Sequence, residues 1–210
     1  SSDLREGLGA GNDPENGRKA AIESLDDIRR RLEAAGTRML FVTAGMGGGT
    51  GTGASPVIAK LAHEMGILTV GIVTSPLAVE GKIRYEQAFR GIEELSRNVD
   101  SLLVINNENI VEMYGRLSLK QAFGKADDIL ASAAKGIAEI ITVESDMVNV
   151  DFADVSKVMR DSGRAHMSVA TAEGEHRAAE VARASLESPL LDHTLISGAK
   201  NILLNISTSD

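Results

Sequence analysis

Met39-Leu40-Phe41-Val42-Thr43-Ala44-Gly45-Met46-Gly47-Gly48-Gly49-Thr50-Gly51-Thr52-Gly53 decides the reading of this chain. Its first half is a continuous apolar run of strand length, and its second half is a glycine run. Downstream, Val57, Ile58, Leu61 and Met65 recur at helical spacing. A strand that turns on glycines into a helix gathers backbone N–H groups and the positive end of a helix dipole at one spot, which is where anions bind. Thr50 and Thr52 add hydroxyls there. The run lacks the Gly-Lys-Ser/Thr of a P-loop. It is also a poor dinucleotide fingerprint, because the next strand closes on Thr74-Ser75-Pro76 with no acid for a ribose. A plain flexible glycine loop is the alternative.

Outward from this turn the pattern alternates. Upstream, Asp13 before Pro14 starts a helix carried by Ala21, Leu25, Ile28 and Leu32, with Gly36 as its stop. Downstream, Leu68 to Thr74 and Leu102 to Ile105 are two further apolar strands. Near-continuous apolar strands separated by helices predict an α/β fold with a parallel sheet covered on both faces. Leu119 to Thr142 is the longest periodic stretch, with Ala122, Ala126, Ile129, Ala133, Ile137 and Ile140 on one stripe. Such a helix is a rod of roughly 36 Å. Beyond it come a loop from Val143 to Asp154, a helix near Val155–Met159, a strand near Met167–Thr171, a helix Arg177–Leu186 and a strand Ile202–Ile206. The expected architecture is a partial three-layer nucleotide-binding domain over 1–142, ending with a long central helix. The start of a smaller α+β domain would then occupy 143–210.

Composition narrows the function classes. The 210 residues are 43% hydrophobic and 25% charged, with a formal net charge of −8. That balance argues against a nucleic-acid partner. No run reaches membrane-spanning length and the first residues lack a signal-peptide core, so a cytoplasmic chain with no direct membrane insertion is expected. Zero cysteines remove disulfides and thiolate metal sites. His63, His166, His176 and His193 make no metal-ligand spacing, and no protein metal ligands are expected.

The glycine run also carries a resemblance. Gly47-Gly48-Gly49-Thr50-Gly51-Thr52-Gly53 matches the signature of the tubulin/FtsZ family of GTPases, and the match continues in order along the chain. Gly7-Leu8-Gly9-Ala10-Gly11 with Pro14 is similar to an upstream phosphate-side loop of that family, placing Ala10 and Gly11 at the nucleotide. Glu80-Gly81 with Arg84 resembles its ribose and phosphate contacts. Asn107, Phe123 and Asp127 resemble its guanine pocket. Asn149, Asp151, Phe152 and Asp154 match its catalytic NxDFxD loop. Ser188-Pro189-Leu190-Leu191 and Leu203-Leu204-Asn205-Ile206 match its second domain.

Residue chemistry agrees while leaving plainer alternatives open. Phe123 and Asp127 are four apart and share a helix face, where a ring can stack on a purine. The carboxylate can accept the N1–H and 2-amino donors that guanine has and adenine lacks. Alone, Phe123 would read as core and Asp127 as a solvated charge. Glu80 and Arg84 are also spaced as a surface ion pair. Asp151 and Asp154 are placed either to orient a water for attack on a γ-phosphoryl group, with Asn149 as positioner, or to cap a helix.

The resemblance implies GTP and GDP as ligands, Mg²⁺ with the triphosphate, and hydrolysis at the interface between successive subunits of a head-to-tail filament at the division site. Division proteins would bind through a C-terminal tail absent here. Geometry agrees: the base pocket lies at the start of the roughly 36 Å helix and Asp151 lies beyond its end. A subunit would therefore reach its neighbour's nucleotide rather than its own, and a heterologous contact of this kind builds filaments. Three departures stand out. The family's opening βα unit and C-terminal end are missing, so an internal stretch of a longer protein is expected. Val143-Glu144-Ser145-Asp146 replaces a proline–glycine turn. Asn106 and Ser55 replace a proline and an alanine. The competing classes are a non-catalytic chain that caps such a polymer without turnover, and an unrelated phosphate-binding enzyme such as a dehydrogenase.

Overall fold

The computed structural model describes residues 9–115, 118–142, 151–186 and 198–206. Asn149, the Val143–Asp146 departure and the Ser188–Leu191 motif lie outside them, as do Gly7 and Leu8. The elements in chain order are α1 (Pro14–Glu23), α2 (Leu25–Ala34), β1 (Met39–Gly45), α3 (Gly49–Glu64), β2 (Leu68–Ser75), a 3-10 turn (Ala78–Glu80) and α4 (Lys82–Ser96). There follow β3 (Ser101–Asn106), α5 (Asn107–Tyr114), α6 (Leu119–Thr142), α7 (Phe152–Met159), β4 (Gly163–Ala165) and α8 (Arg177–Leu186).

The strands form one parallel four-stranded sheet in the order β1-β2-β3-β4. β2 is buried along nearly its whole length, as its unbroken apolar run requires, whereas β1 is only half-buried. Register aligns Gly45 with Thr74 and Ser75 with Asn106, so β1, β2 and β3 end together at what we term the carboxyl pole. Leu68, Val70, Ile72, Leu103 and Ile105 pack on one face with Ala126, Ala133 and Ile137 of α6 and Val155 and Met159 of α7. The other face packs Val42, Val73 and Leu102 against Ala59 of α3 and Ala88, Ile92 and Leu95 of α4. The three-layer α/β expectation therefore holds, including the full 24-residue span of α6.

Several local expectations are corrected. The upstream helix is two helices that meet at Ser24, whose N–H returns to Ala21. Asp13 does cap α1, accepting from Glu15 N–H at 3.0 Å. The strand placed at Met167–Thr171 is absent; the fourth strand is Gly163–Ala165 instead. Those three residues have little strand propensity. They are held from outside, by pairing with β3 and by the Gly163 N–H on the Asp100 carbonyl at 3.0 Å. Residues 202–206 form no strand either; Ile202, Leu204 and Ile206 are exposed while Leu203 leans on the core.

Candidate functional site

The glycine turn sits at the carboxyl pole between β1 and α3. Gly47 occupies φ +106°, a left-handed conformation that favours glycine, and a Cβ there would lie 2.9 Å from the Arg84 carbonyl oxygen. Gly47 N–H donates to Thr52 Oγ1 at 2.8 Å. Thr52 is buried, so its hydroxyl shapes the turn from inside rather than standing open to solvent. The glycines divide by role. A Cβ on Gly53 would strike the Pro14 carbonyl oxygen, and one on Gly49 would lie 2.7 Å from Ala10 Cβ, so both are spent on seating α1 against α3. A Cβ on Gly48 would meet nothing within 4 Å, so this position faces open space.

Gly48 is also the N-cap residue of α3. No side chain caps that helix and no acid stands in its first turn. Sixteen residues of aligned peptide dipoles thus end in N–H groups that no side chain caps. Ala10 and Gly11 adjoin this end: Ala10 touches Gly49, and Gly11 has φ +60° in the turn closed by Asp13 N–H on the Ala10 carbonyl at 3.1 Å. Thr50 is exposed and Gly51 half-buried against Gly45.

Glu80 and Arg84 reach the same place through the contact of the Arg84 backbone with Gly47. They form an ion pair, Arg84 Nη1 to Glu80 Oε2 at 2.8 Å, and Glu80 Oε1 accepts from Leu77 N–H at 2.9 Å. The plainer ion-pair reading is therefore present in the fold. Asn107 is the first residue of α5, capped by Asn106, whose Oδ1 accepts from Glu108 N–H at 3.0 Å. Asn107 is 6% exposed and its Oδ1 has no hydrogen-bond partner. A buried acceptor left unpaired costs about 1–3 kcal/mol, so a donor supplied by a ligand fits there. Phe123 is 40% exposed, which removes the core reading, and Asp127, one turn on, is exposed. Lys125, between them in sequence, stands with its Nζ 5.5 Å from the Tyr114 ring at the end of α5, which places this part of α6 beside the helix that follows β3.

The acidic loop lies elsewhere. Asp151 Oδ1 accepts from Ala153 N–H at 2.6 Å and Asp154 N–H at 3.0 Å, so Asp151 caps α7 as its position allows. The Asp154 side chain is exposed in the first turn. Next to them the Phe152 ring lies 4.1 Å beneath the Arg38 guanidinium, and Arg38 directly precedes β1. The two carboxylates therefore stand at the amino ends of the strands, a β2 length of roughly 25 Å from the glycine turn. The structure gathers Ala10, the glycine turn, Glu80 and Arg84, with Asn107, Phe123 and Asp127 at the same pole, and it separates Asp151 and Asp154 from all of them.

An α/β protein is thus defined whose glycine turn leads into an uncapped helix at the carboxyl pole of a parallel sheet, the usual ligand side of such sheets. Comparison with known proteins is specific. Residues 1–115 match the model of the tubulin/FtsZ family GTPase domain, and residues 163–210 match the FtsZ family C-terminal domain. The cell division protein FtsZ of Porphyromonas gingivalis is 50% identical over 204 residues, covering 97% of this chain and 44% of that protein. FtsZ of Pseudomonas putida is 50% identical over 205 residues, covering 97% and 51%. An empty FtsZ dimer from M. jannaschii superposes with a TM-score of 0.85 at 43% identity, over 91% of this chain and 55% of that one. The chain belongs to the tubulin/FtsZ family, on its FtsZ branch. It spans about half the length of the relatives it matches.

Proposed function

We propose that this chain is a GTP-binding part of a self-assembling division protein, working at the division site in the cytoplasm, that hydrolyses GTP to GDP and phosphate between successive subunits. The observation that carries this reading is the uncapped, acid-free N-terminus of α3 behind the open Gly48. Phosphate oxygens would lie on its N–H groups, with Gly47 and Gly48 as the turn, Gly49, Thr50, Gly51, Thr52 and Gly53 as the first residues of the helix, and Ala10 and Gly11 as a second wall. Glu80 and Arg84 would exchange part of their ion pair for ribose and phosphate. Asn107 and Asp127 would take the donors of guanine while Phe123 stacks on the ring. Mg²⁺ would offset the triphosphate charge, held largely by phosphate oxygens and water.

Hydrolysis is assigned to Asp151 and Asp154, with Asn149 as positioner. Oδ1 of Asp151 is committed to the α7 cap, so its Oδ2 and the Asp154 carboxylate are the groups to orient water for in-line attack. Their place at the opposite pole supports completion of the site by a neighbouring copy in a head-to-tail stack, and the dimeric state of the M. jannaschii relative is consistent with self-association. Residues 1–142 would bind nucleotide and 143–210 would supply the acidic loop. Phosphate release from GTP, with ATP as control, tests the reading across a dilution series. The expected result is a GTP-selective rate per subunit that climbs with concentration. GTP bound without release at any concentration would assign the chain to the non-catalytic class.

A further inference from the structure

The amino pole holds a second cluster that the nucleotide reading does not use. Asp100, directly before β3, is a carboxylate with 0% of its side chain exposed. Its two oxygens are unequally served. Oδ2 accepts from Thr69 N–H at 2.8 Å. Oδ1 accepts from Asp161 N–H at 3.4 Å and has His63 Nε2 at 3.6 Å and Arg160 Nη1 at 3.9 Å. The Asp161 N–H donates a long hydrogen bond to it, while the His63 and Arg160 nitrogens stand beyond hydrogen-bond length. The space in front of this oxygen is bounded by metal-ligating atoms. His63, Asp100 and Asp161 each offer one, and all lie within 4.8 Å of one another. They come from the last turn of α3, the start of β3 and the turn between α7 and β4.

We propose that His63, Asp100 and Asp161 bind a single divalent transition-metal ion of the zinc class. Two donors on one tetrahedral zinc, each about 2.0–2.2 Å from the ion, stand roughly 3.3–3.6 Å apart. The 3.6 Å between His63 Nε2 and Asp100 Oδ1 fits that edge and is too long for a hydrogen bond. One imidazole with two carboxylates favours zinc, cobalt or nickel over magnesium and calcium, which take oxygen ligands. His63 and Asp161 are exposed, so the ion has an approach from solvent and a fourth position for water. Arg160 is the competing cation. It is half-exposed and already shared with the Gly66 carbonyl at 3.4 Å, so it withdraws when the ion enters. A bound ion would join α3 to the turn that follows α7.

The test uses the 210-residue chain freed of metal with a chelator and titrated calorimetrically with zinc chloride, magnesium chloride being the control. One saturable zinc site is expected, with a rise in thermal midpoint that magnesium does not produce. His63→Ala and Asp161→Gly replace exposed groups, and glycine accepts the φ of +51° that Asp161 holds. Each is expected to weaken zinc binding by at least the ~10–100-fold that loss of an outer-shell partner costs. Arg160→Gln should tighten it. The proposal is overturned by the absence of saturable zinc binding, by binding unchanged in His63→Ala and Asp161→Gly, or by weaker binding in Arg160→Gln.

Discussion

Two helix N-termini in this molecule solve the same problem in opposite ways. α3 begins on Gly48 with no side-chain cap and no acid in its first turn, whereas α7 begins on Asp151, whose carboxylate takes two of the free N–H groups. A capped end has its donors occupied and repels further anions; an uncapped one keeps donors and dipole for a ligand. The difference tells the poles apart without reference to any relative. One helix end keeps its first N–H groups clear of side-chain caps, and the other covers two of them with a carboxylate.

The comparison is most severely broken at the packing that holds the α3 end in place. Gly53→Val would drive a side chain into the Pro14 carbonyl and separate α1 from α3. A loss of about 3 kcal/mol is expected, read from urea denaturation, together with loss of nucleotide binding. At the other pole, Asp151→Ala should remove the α7 cap and cost about 1 kcal/mol, while GTP binding persists and turnover disappears. Asp151→Asn sharpens this, since asparagine also caps: stability should return and turnover should not, separating the two roles of one carboxylate. The smallest stability effect has the opposite sign. Gly48→Asp would make α3 resemble α7, adding a few tenths of a kcal/mol of helix stability while abolishing GTP binding measured by fluorescent-nucleotide titration. A variant that gained stability and still bound GTP at the parent affinity would refute the assignment of that helix end to phosphate.

What the sequence disclosed follows from how local each cause is. β2 and α6 were legible because burial on both faces, or along a wide stripe, writes itself into consecutive residues. The Asp13–Pro14 start of α1 was legible as well, since a cap is a two-residue event. β4 was not, because Gly163-Arg164-Ala165 becomes a strand only through β3 and the Asp100 carbonyl. The glycine run was read as a turn between strand and helix, but Gly49 to Gly53 already belong to α3, and its division into seating and open positions depends on Pro14 and Ala10, far off in sequence. The same holds for His63, Asp100 and Asp161. Their spacing matches no metal pattern, and only the fold brings them together. Exposure of Phe123 and the orphaned oxygen of Asn107 are likewise products of tertiary packing, which no local pattern encodes.

α6 has one more consequence, a mechanical one. It is a single unbroken rod of 24 residues, roughly 36 Å long, running from the face that carries Phe123 and Asp127 toward the end of the chain that carries Asp151. Were the proposed head-to-tail stack to run along this helix, each subunit would contribute one such strut and the axial repeat would stay near or above that length. In that arrangement helix geometry would set the spacing, and the joints between subunits would be left to set how the stack bends.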